Sequence, residues 1–425
     1  MSWGRASTAL LVLWAAAFWL SEGLLQAVGD LSLLVALVLV VTRRASLPAL
    51  ARLPVLLAVA LGAWEAVSPL LARAFGFPGF PSSGRWLHCN DTAAPAAAAL
   101  LGTQVARWAA VEVTFAAGGF LSLCMSLVQH QLRWSFPVPK FLRLPVDRVH
   151  ETFGGEDRFA AGGFFFHRLR LAHASIAALG PAVAAMFWPL DRRRRVAAGM
   201  LALACMACIV LSYARAALLT AGLLVVLAAL RTARGWARWA ALAAILIAVV
   251  AAVASPGWRV RFGEAGENFF GGERALARHA GWDLVRQHPW LGVGFGNYQQ
   301  AALARQSITG ITEQLSRDAH AIPLTVWAET GVVGLGLYLA LHLSLALALL
   351  RRSRRGHWMA AGALISWGGF QILGLAHFLP FHPSVALAFA FVWGVGLVHP
   401  AVVRFPGMAE RDLSPDPLPQ PSAAR

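Results

Sequence analysis

Apolar runs long enough to cross a bilayer fill most of this chain, and short arginine clusters separate them. A helical crossing needs about 20 apolar residues, fewer where helices tilt. The runs of that kind are Ser7–Leu20, Leu24–Val41, Leu50–Leu71, Pro95–Ala109, Val111–His130, Leu171–Trp188, Val196–Leu211, Tyr213–Leu230, Trp239–Ala254, Val332–Leu350, His357–Ala376 and Pro383–His399. The pattern predicts an all-α integral membrane protein of about twelve transmembrane helices. Arg5 precedes the first run as it would in a signal peptide, but another apolar run follows directly, so it reads as an uncleaved first helix. Residues 1–254 carry the first nine spans and a basic loop over 131–170, and 255–331 form a larger polar loop with short helices. The last three spans occupy 332–399, and the Pro- and Ser-containing tail over 400–425 is expected to be disordered.

Arginine sets the orientation. Arg43 with Arg44, Arg192–Arg195, Arg231 with Arg234 and Arg238, and the Arg351–Arg355 run around Ser353 all fall on one side of that layout. The positive-inside bias makes that side cytoplasmic, together with the tail, and puts both long polar loops on the far side. Composition agrees with a membrane protein: 58% of the residues are apolar and 13% charged, and the mean hydropathy is +0.61, too little polar matter to coat a soluble globule. A net charge of +16 would raise nucleic acid as a partner in a soluble chain. Here the clusters mark topology, and no nucleic-acid partner is expected. Cys205 and Cys208 lie inside an apolar run and read as small core residues, and Cys89 stands alone in a loop, so neither a disulfide framework nor a thiolate metal site follows.

The far-side loops hold arginines that do nothing for orientation, among them Arg133, Arg143, Arg158, Arg170, Arg259, Arg261, Arg274, Arg278 and Arg317. Two readings stand: an amphipathic stretch facing headgroups, or a site for a phosphate-bearing lipid, whose oxygens match the planar guanidinium fork. Arg215 falls about one turn inside the eighth run, where an unpaired charge costs about 3 kcal/mol. It either snorkels to the interface or binds an anion within the bundle. In the large loop, ERALARHAGWDLV places Arg274, Arg278, Trp282 and Val285 near one face of a helix that Pro289 ends. Gly292, Gly294 and Gly296 then make an irregular turn. Their spacing, with no strand before them, is not a dinucleotide fingerprint. His320 follows at the mouth of an apolar segment whose first turn takes Pro323. On spacing alone a single histidine is more often structural than catalytic.

Taken in order, Ser212 with Arg215, Arg278 with Trp282, Pro289 with Gly292, Gly294 and Tyr298, then His320, then Glu329 with Gly331 resemble the O-antigen ligase and polymerase superfamily over 211–335. That family usually has Asn after the histidine, and this chain has Ala321. The resemblance implies a glycosyltransferase in a bacterial inner membrane, with its active site facing the periplasm. The donor is polysaccharide on undecaprenyl pyrophosphate. The acceptor is a lipid A-core sugar hydroxyl for a ligase, or the growing repeat for a polymerase. It implies catalytic roles for His320, as base, and for Arg215 and Arg278, which stabilise the departing pyrophosphate. Arg158, Trp282, Gly292, Gly294, Tyr298 and Glu329 become substrate-binding or loop-forming residues. No metal or other cofactor is expected, membrane lipids are the remaining partner, and attack opposite the leaving group inverts the anomeric centre. A protein O-oligosaccharyltransferase is disfavoured, since no acceptor-recognition domain is expected after the last run. A lipid-linked sugar transporter needs more polar residues deep in the spans than Glu22, Glu65, Glu112 and Gln371 provide.

Overall fold

The computed structural model describes residues 2–77, 85–134, 152, 159–232, 254–263, 272–313 and 316–400. Its helices are α1 (Trp3–Leu20), α2 (Glu22–Val41), α3 (Ala49–Ala74), α4 (Ala94–Gly102), α5 (Trp108–Leu132), α6 (Arg168–Phe187), α7 (Arg192–Leu211) and α8 (Arg215–Thr232). There follow α9 (Pro256–Gly263), α10 (Gly272–Gln287), α11 (Tyr298–Leu303), α12 (Gln306–Thr309), α13 (Ile322–Arg354), α14 (Trp358–Gly374) and α15 (Pro383–Val398). No strand occurs among the described residues. Seven helices, α1, α2, α3, α5, α6, α7 and α13, are long and apolar enough to cross a membrane. The shorter α8 and α15 are apolar too, and the protein is an all-α integral membrane protein.

Two expected crossings look different in the structure. The run Trp239–Ala254 lies almost wholly outside the described residues, so these residues do not make a count of twelve. The run Pro95–Ala109 is not one helix: α4 has 9 residues, and a 3-10 helix over Arg85–Ala93 precedes it. Asn90 Nδ2 in that 3-10 stretch donates to Asp30 Oδ1 of α2 at 2.6 Å. Beyond α4, Gln104 Nε2 donates to the Arg44 carbonyl at 2.9 Å, at the opposite end of α2. The pair together therefore covers the depth that a single long helix would. Every residue of α4 is buried. Non-α backbone is tolerated at membrane depth when protein, not lipid, surrounds it.

Loop contacts hold the helix ends on one face together. Glu22, between α1 and α2, accepts the Phe166 amide at 2.8 Å and pairs with Arg170. Gln129 near the end of α5 donates to the Gly163 carbonyl at 2.7 Å, and the Ala161 amide donates to the Leu211 carbonyl at 2.9 Å. Arg43, Arg44, Arg192–Arg195 and Arg351–Arg355 sit at the other ends of these helices. There Arg352 donates to the His399 carbonyl at 3.0 Å, and His399 Nε2 lies 3.0 Å from Glu112 Oε1.

The loop between α8 and α13 has a small core of its own. Ala277, Ala280, Leu284 and Val285 of α10 pack with Val293, Tyr298, Ala301, Ile311, Ala319 and Leu324. That spacing of three and four residues is the apolar stripe of an amphipathic helix. α13 then breaks at Gly331, whose φ of 67° and ψ of −170° no side chain adopts without strain. The break divides a short outer segment, Ile322–Thr330, from the long apolar one that follows.

Candidate functional site

The glycine turn is a clasp around the start of α13. The Gly294 amide donates to the Glu329 carbonyl at 2.7 Å and the Val293 amide to the Ala328 carbonyl at 2.9 Å. In return the Val332 amide donates to the Pro289 carbonyl at 2.9 Å. Gly292 and Gly294 have φ of +68° and +88°, and a Cβ on Gly292 would run into the main chain of Glu329. Glu329 is 1% exposed and its carboxylate accepts the Gly296 amide at 3.2 Å. Tyr298 is fully buried, donates its hydroxyl to the Ala277 carbonyl at 3.0 Å, and so ties α11 to α10. Burial first, then the carboxylates of Asp318 and Glu329, push this phenol well above its usual range, so it stays a donor. In the sequence these residues stood as substrate-binding or loop-forming. The geometry gives them contacts that position α13 and His320.

His320 sits one step ahead of α13 in the left-handed region, with φ 51°. Asp318 holds it there: Oδ1 accepts the His320 amide at 2.6 Å and lies 3.6 Å from its Nδ1. The Ala319 amide donates to Thr325 Oγ1 at 3.1 Å, which ties the same turn to α13. A strained backbone fixed by a carboxylate and a helix is how a reactive side chain is kept in one orientation. The His320 side chain is 28% exposed against 11% for Asp318, so the imidazole faces outward and the carboxylate lies behind it.

Arg215 is not one turn inside its helix, as the apolar run implied, but the first residue of α8. The chain turns at Ser212–Ala214, with Tyr213 at φ 53°, before the helix starts. The guanidinium therefore lies at the membrane edge, where burial no longer sets the cost. A cation at a helix N-terminus opposes the macrodipole, whereas an anion there is favoured by both the dipole and the guanidinium. Arg215 Nη1 donates to the Arg261 carbonyl of α9. α9 is docked through Trp258, 2% exposed, which packs on Tyr213 at 5.5 Å and Phe262 at 5.4 Å.

Arg261 in turn acts on Arg274 of α10. Burial, then the charges of Arg278 and Arg261, hold the Arg274 guanidinium below its ordinary value, and Asp318 opposes them. Arg261, Arg274, Arg278 and the Asp318–His320 turn thus share one electrostatic neighbourhood, linked through α9 to Arg215. Trp282 is 47% exposed and meets Trp327 edge to face at 5.8 Å. It flanks α10 on the outer side. Arg158 lies outside the described residues.

The structure adds residues that spacing did not single out. Asp318 carries a short-range signal, an acidic residue two positions before a histidine. His377, after α14, lies 5.3 Å ring to ring from His173 of α6 and within electrostatic range of Arg274, His320 and His382. His382, ahead of α15, feels Arg170, His173, His167 and Arg317. No group of three or more His, Cys, Asp or Glu side chains among the described residues could hold a metal ion. The basin is built of guanidinium and imidazole. That chemistry suits a polyanion.

Residues 200–339 match the family model described as O-Antigen ligase. The chain is a member of the O-antigen ligase superfamily. Comparison with curated proteins gives no match. The matched segment runs from α7 into α13 and includes Arg215, Arg278, the glycine clasp, His320 and Glu329. A multi-pass membrane protein with this domain is a glycosyltransferase-like enzyme of the O-antigen ligase and polymerase type.

Proposed function

We propose that the protein is a lipopolysaccharide O-antigen ligase. In this reading it moves polysaccharide from undecaprenyl pyrophosphate to a sugar hydroxyl of lipid A core, at the periplasmic face of a bacterial inner membrane. The observation that carries it is the shared basin: an outward-facing histidine backed by a carboxylate, next to a group of arginines. Transfer needs both halves. As the anomeric C–O bond breaks, negative charge builds on the pyrophosphate, and Arg215 and Arg278 stabilise it in a setting that is already cationic. His320 takes the proton from the acceptor hydroxyl, and Asp318 beside Nδ1 stabilises the imidazolium that forms. Attack on the face opposite the pyrophosphate inverts the anomeric centre, and charge stabilisation by guanidinium calls for no metal.

The test uses the full-length protein in detergent with a lipid-linked polysaccharide and purified lipid A core. Transfer is expected in wild type. His320→Ala and Arg215→Ala each leave the polysaccharide on its carrier, with rates down about 10²- to 10⁴-fold for the histidine. Lengthening of chains on the carrier, with none reaching the core, would make it a polymerase. Absence of any sugar transfer, with a change in carrier access across liposomes, would sink the enzyme reading.

A further inference from the structure

The transfer reaction has two proton events, and His320 accounts for one of them. The other falls at the oxygen of the departing diphosphate. His377 reaches the basin from the connection between α14 and α15, on the chain side opposite the α10 loop. Its neighbours come from every element packed around it: His173 from α6, Arg274 from α10, His320 from the turn ahead of α13 and His382 from the turn ahead of α15. His382 is ringed in turn by Arg170, His173, His167 and Arg317. The groups acting on His377 are all bases. The nearest carboxylate in this network, Asp318, acts on Arg274 and contacts His320. Behind His377, the imidazole of His173 is 3% exposed and its Nδ1 has no hydrogen-bond partner among the described residues.

We propose that His377 is the general acid of the transfer, donating its proton to the diphosphate oxygen as the anomeric bond breaks, with His320 as its partner base. This rests on the glycosyltransferase reading. The bond between the anomeric carbon and the diphosphate oxygen breaks, and its electron pair stays on that oxygen. The His377 proton joins it there. The acceptor oxygen bonds to the anomeric carbon and gives its own proton to His320. One proton enters and one leaves, so no further reactant is needed. Turnover ends with His320 protonated and His377 neutral, two rings within electrostatic range of each other, and passage of the proton from one to the other resets the site.

In the empty site, burial followed by the charges of His173, Arg274, His320 and His382 keeps His377 well below the ordinary imidazole range. It is therefore neutral at pH near 7 until an anion arrives. A diphosphate among these groups reverses the balance, because opposite charge favours the protonated ring. Donor binding must then take up a proton. His377, His173 and His382 lie outside the matched segment 200–339, so the acid and the base come from different parts of the chain.

The experiment has two arms on the full-length protein in detergent. Calorimetric titration of inorganic pyrophosphate, in buffers of different ionisation enthalpy near pH 7, is expected to show proton uptake in wild type and less in His377→Gln. Transfer rates against pH are expected to show an acid limb from the base and an alkaline limb from the acid. His377→Gln loses the alkaline limb, with kcat down about 10²-fold. If wild type binds pyrophosphate without taking up protons, or His377→Gln keeps both limbs, the proposal is overturned. The first of these needs no variant to fold. Loss of transfer in His320→Ala beside an unaffected His377→Gln would retain the glycosyltransferase reading and remove only the acid. Transfer that survives in His320→Ala would instead remove the base on which both depend.

Discussion

Asp318 grips His320 twice, accepting its main-chain amide at 2.6 Å and standing 3.6 Å from its Nδ1. The first contact holds a left-handed turn and the second places a negative charge against the ring. The two can be separated. Asp318→Asn retains an acceptor for the amide but loses the charge, so the turn survives and the imidazolium is no longer stabilised. The expected result is kcat lower by about 10²-fold with KM and thermal stability little changed. Asp318→Ala loses both contacts and should lower the melting temperature as well. Equal effects of the two variants on stability and rate would show that the charge does nothing.

Gly331 is where the outer segment of α13 ends and the long apolar one begins. Its φ of 67° and ψ of −170° belong to glycine, and a Cβ would collide with the main chain at Trp290. Gly331→Ala is therefore expected to destabilise by about 3 kcal/mol or more. It also disturbs the clasp that sets His320. The measurement is the melting temperature in detergent together with the yield of folded protein. Unchanged values would mean that the break is not required.

Much of this was legible along the chain, and the exceptions have physical causes. Apolar length foretold α1, α2, α3 and α13, since the bilayer leaves a helix few alternatives. It failed at Pro95–Ala109, where the crossing is made by a 3-10 helix and a 9-residue helix wholly enclosed by protein. Hydropathy cannot distinguish burial in protein from burial in lipid. Arg215 was placed inside its helix because Tyr213 and Ala214 are apolar, yet the turn at Tyr213 starts the helix at the arginine itself. His320 and the glycine turn were readable as ordered motifs. His173 and His377 were not, because each is one histidine in an apolar context and only their packing at 5.3 Å joins them.

Arg278 is half-buried on α10 beside Arg274, in surroundings where a second cation is already disfavoured. A lysine there retains the charge but not the planar fork that meets two phosphate oxygens at once. Arg278→Lys is expected to lose about 10-fold or more in kcat/KM, and Arg278→Ala more again. Full activity in the lysine variant would reduce the role of Arg278 to charge alone. Transfer assays with the lipid-linked donor decide it.

At the opposite end of the bundle, His357 accepts from Arg352 at 3.2 Å, since the guanidinium can only donate. Burial first, then the Arg352 charge, hold this imidazole at about 4, below the ordinary 6.5. The sign follows from which state binds the proton. Between pH of about 6.5 and about 4 the unfolded chain protonates His357 and the folded chain does not. Its contribution is thus fully present above pH of about 6.5 and is lost as pH falls toward about 4. Because the ring is partly exposed, solvent screening trims the effect. His377 and His382, also held low, act in the same direction. Subtracting a variant isolates His357: the melting temperature of wild type should fall more steeply over that window than that of His357→Gln. Parallel curves would mean that Arg352 and His357 do not depend on the neutral ring, and that the acid sensitivity belongs to the histidines at the other face.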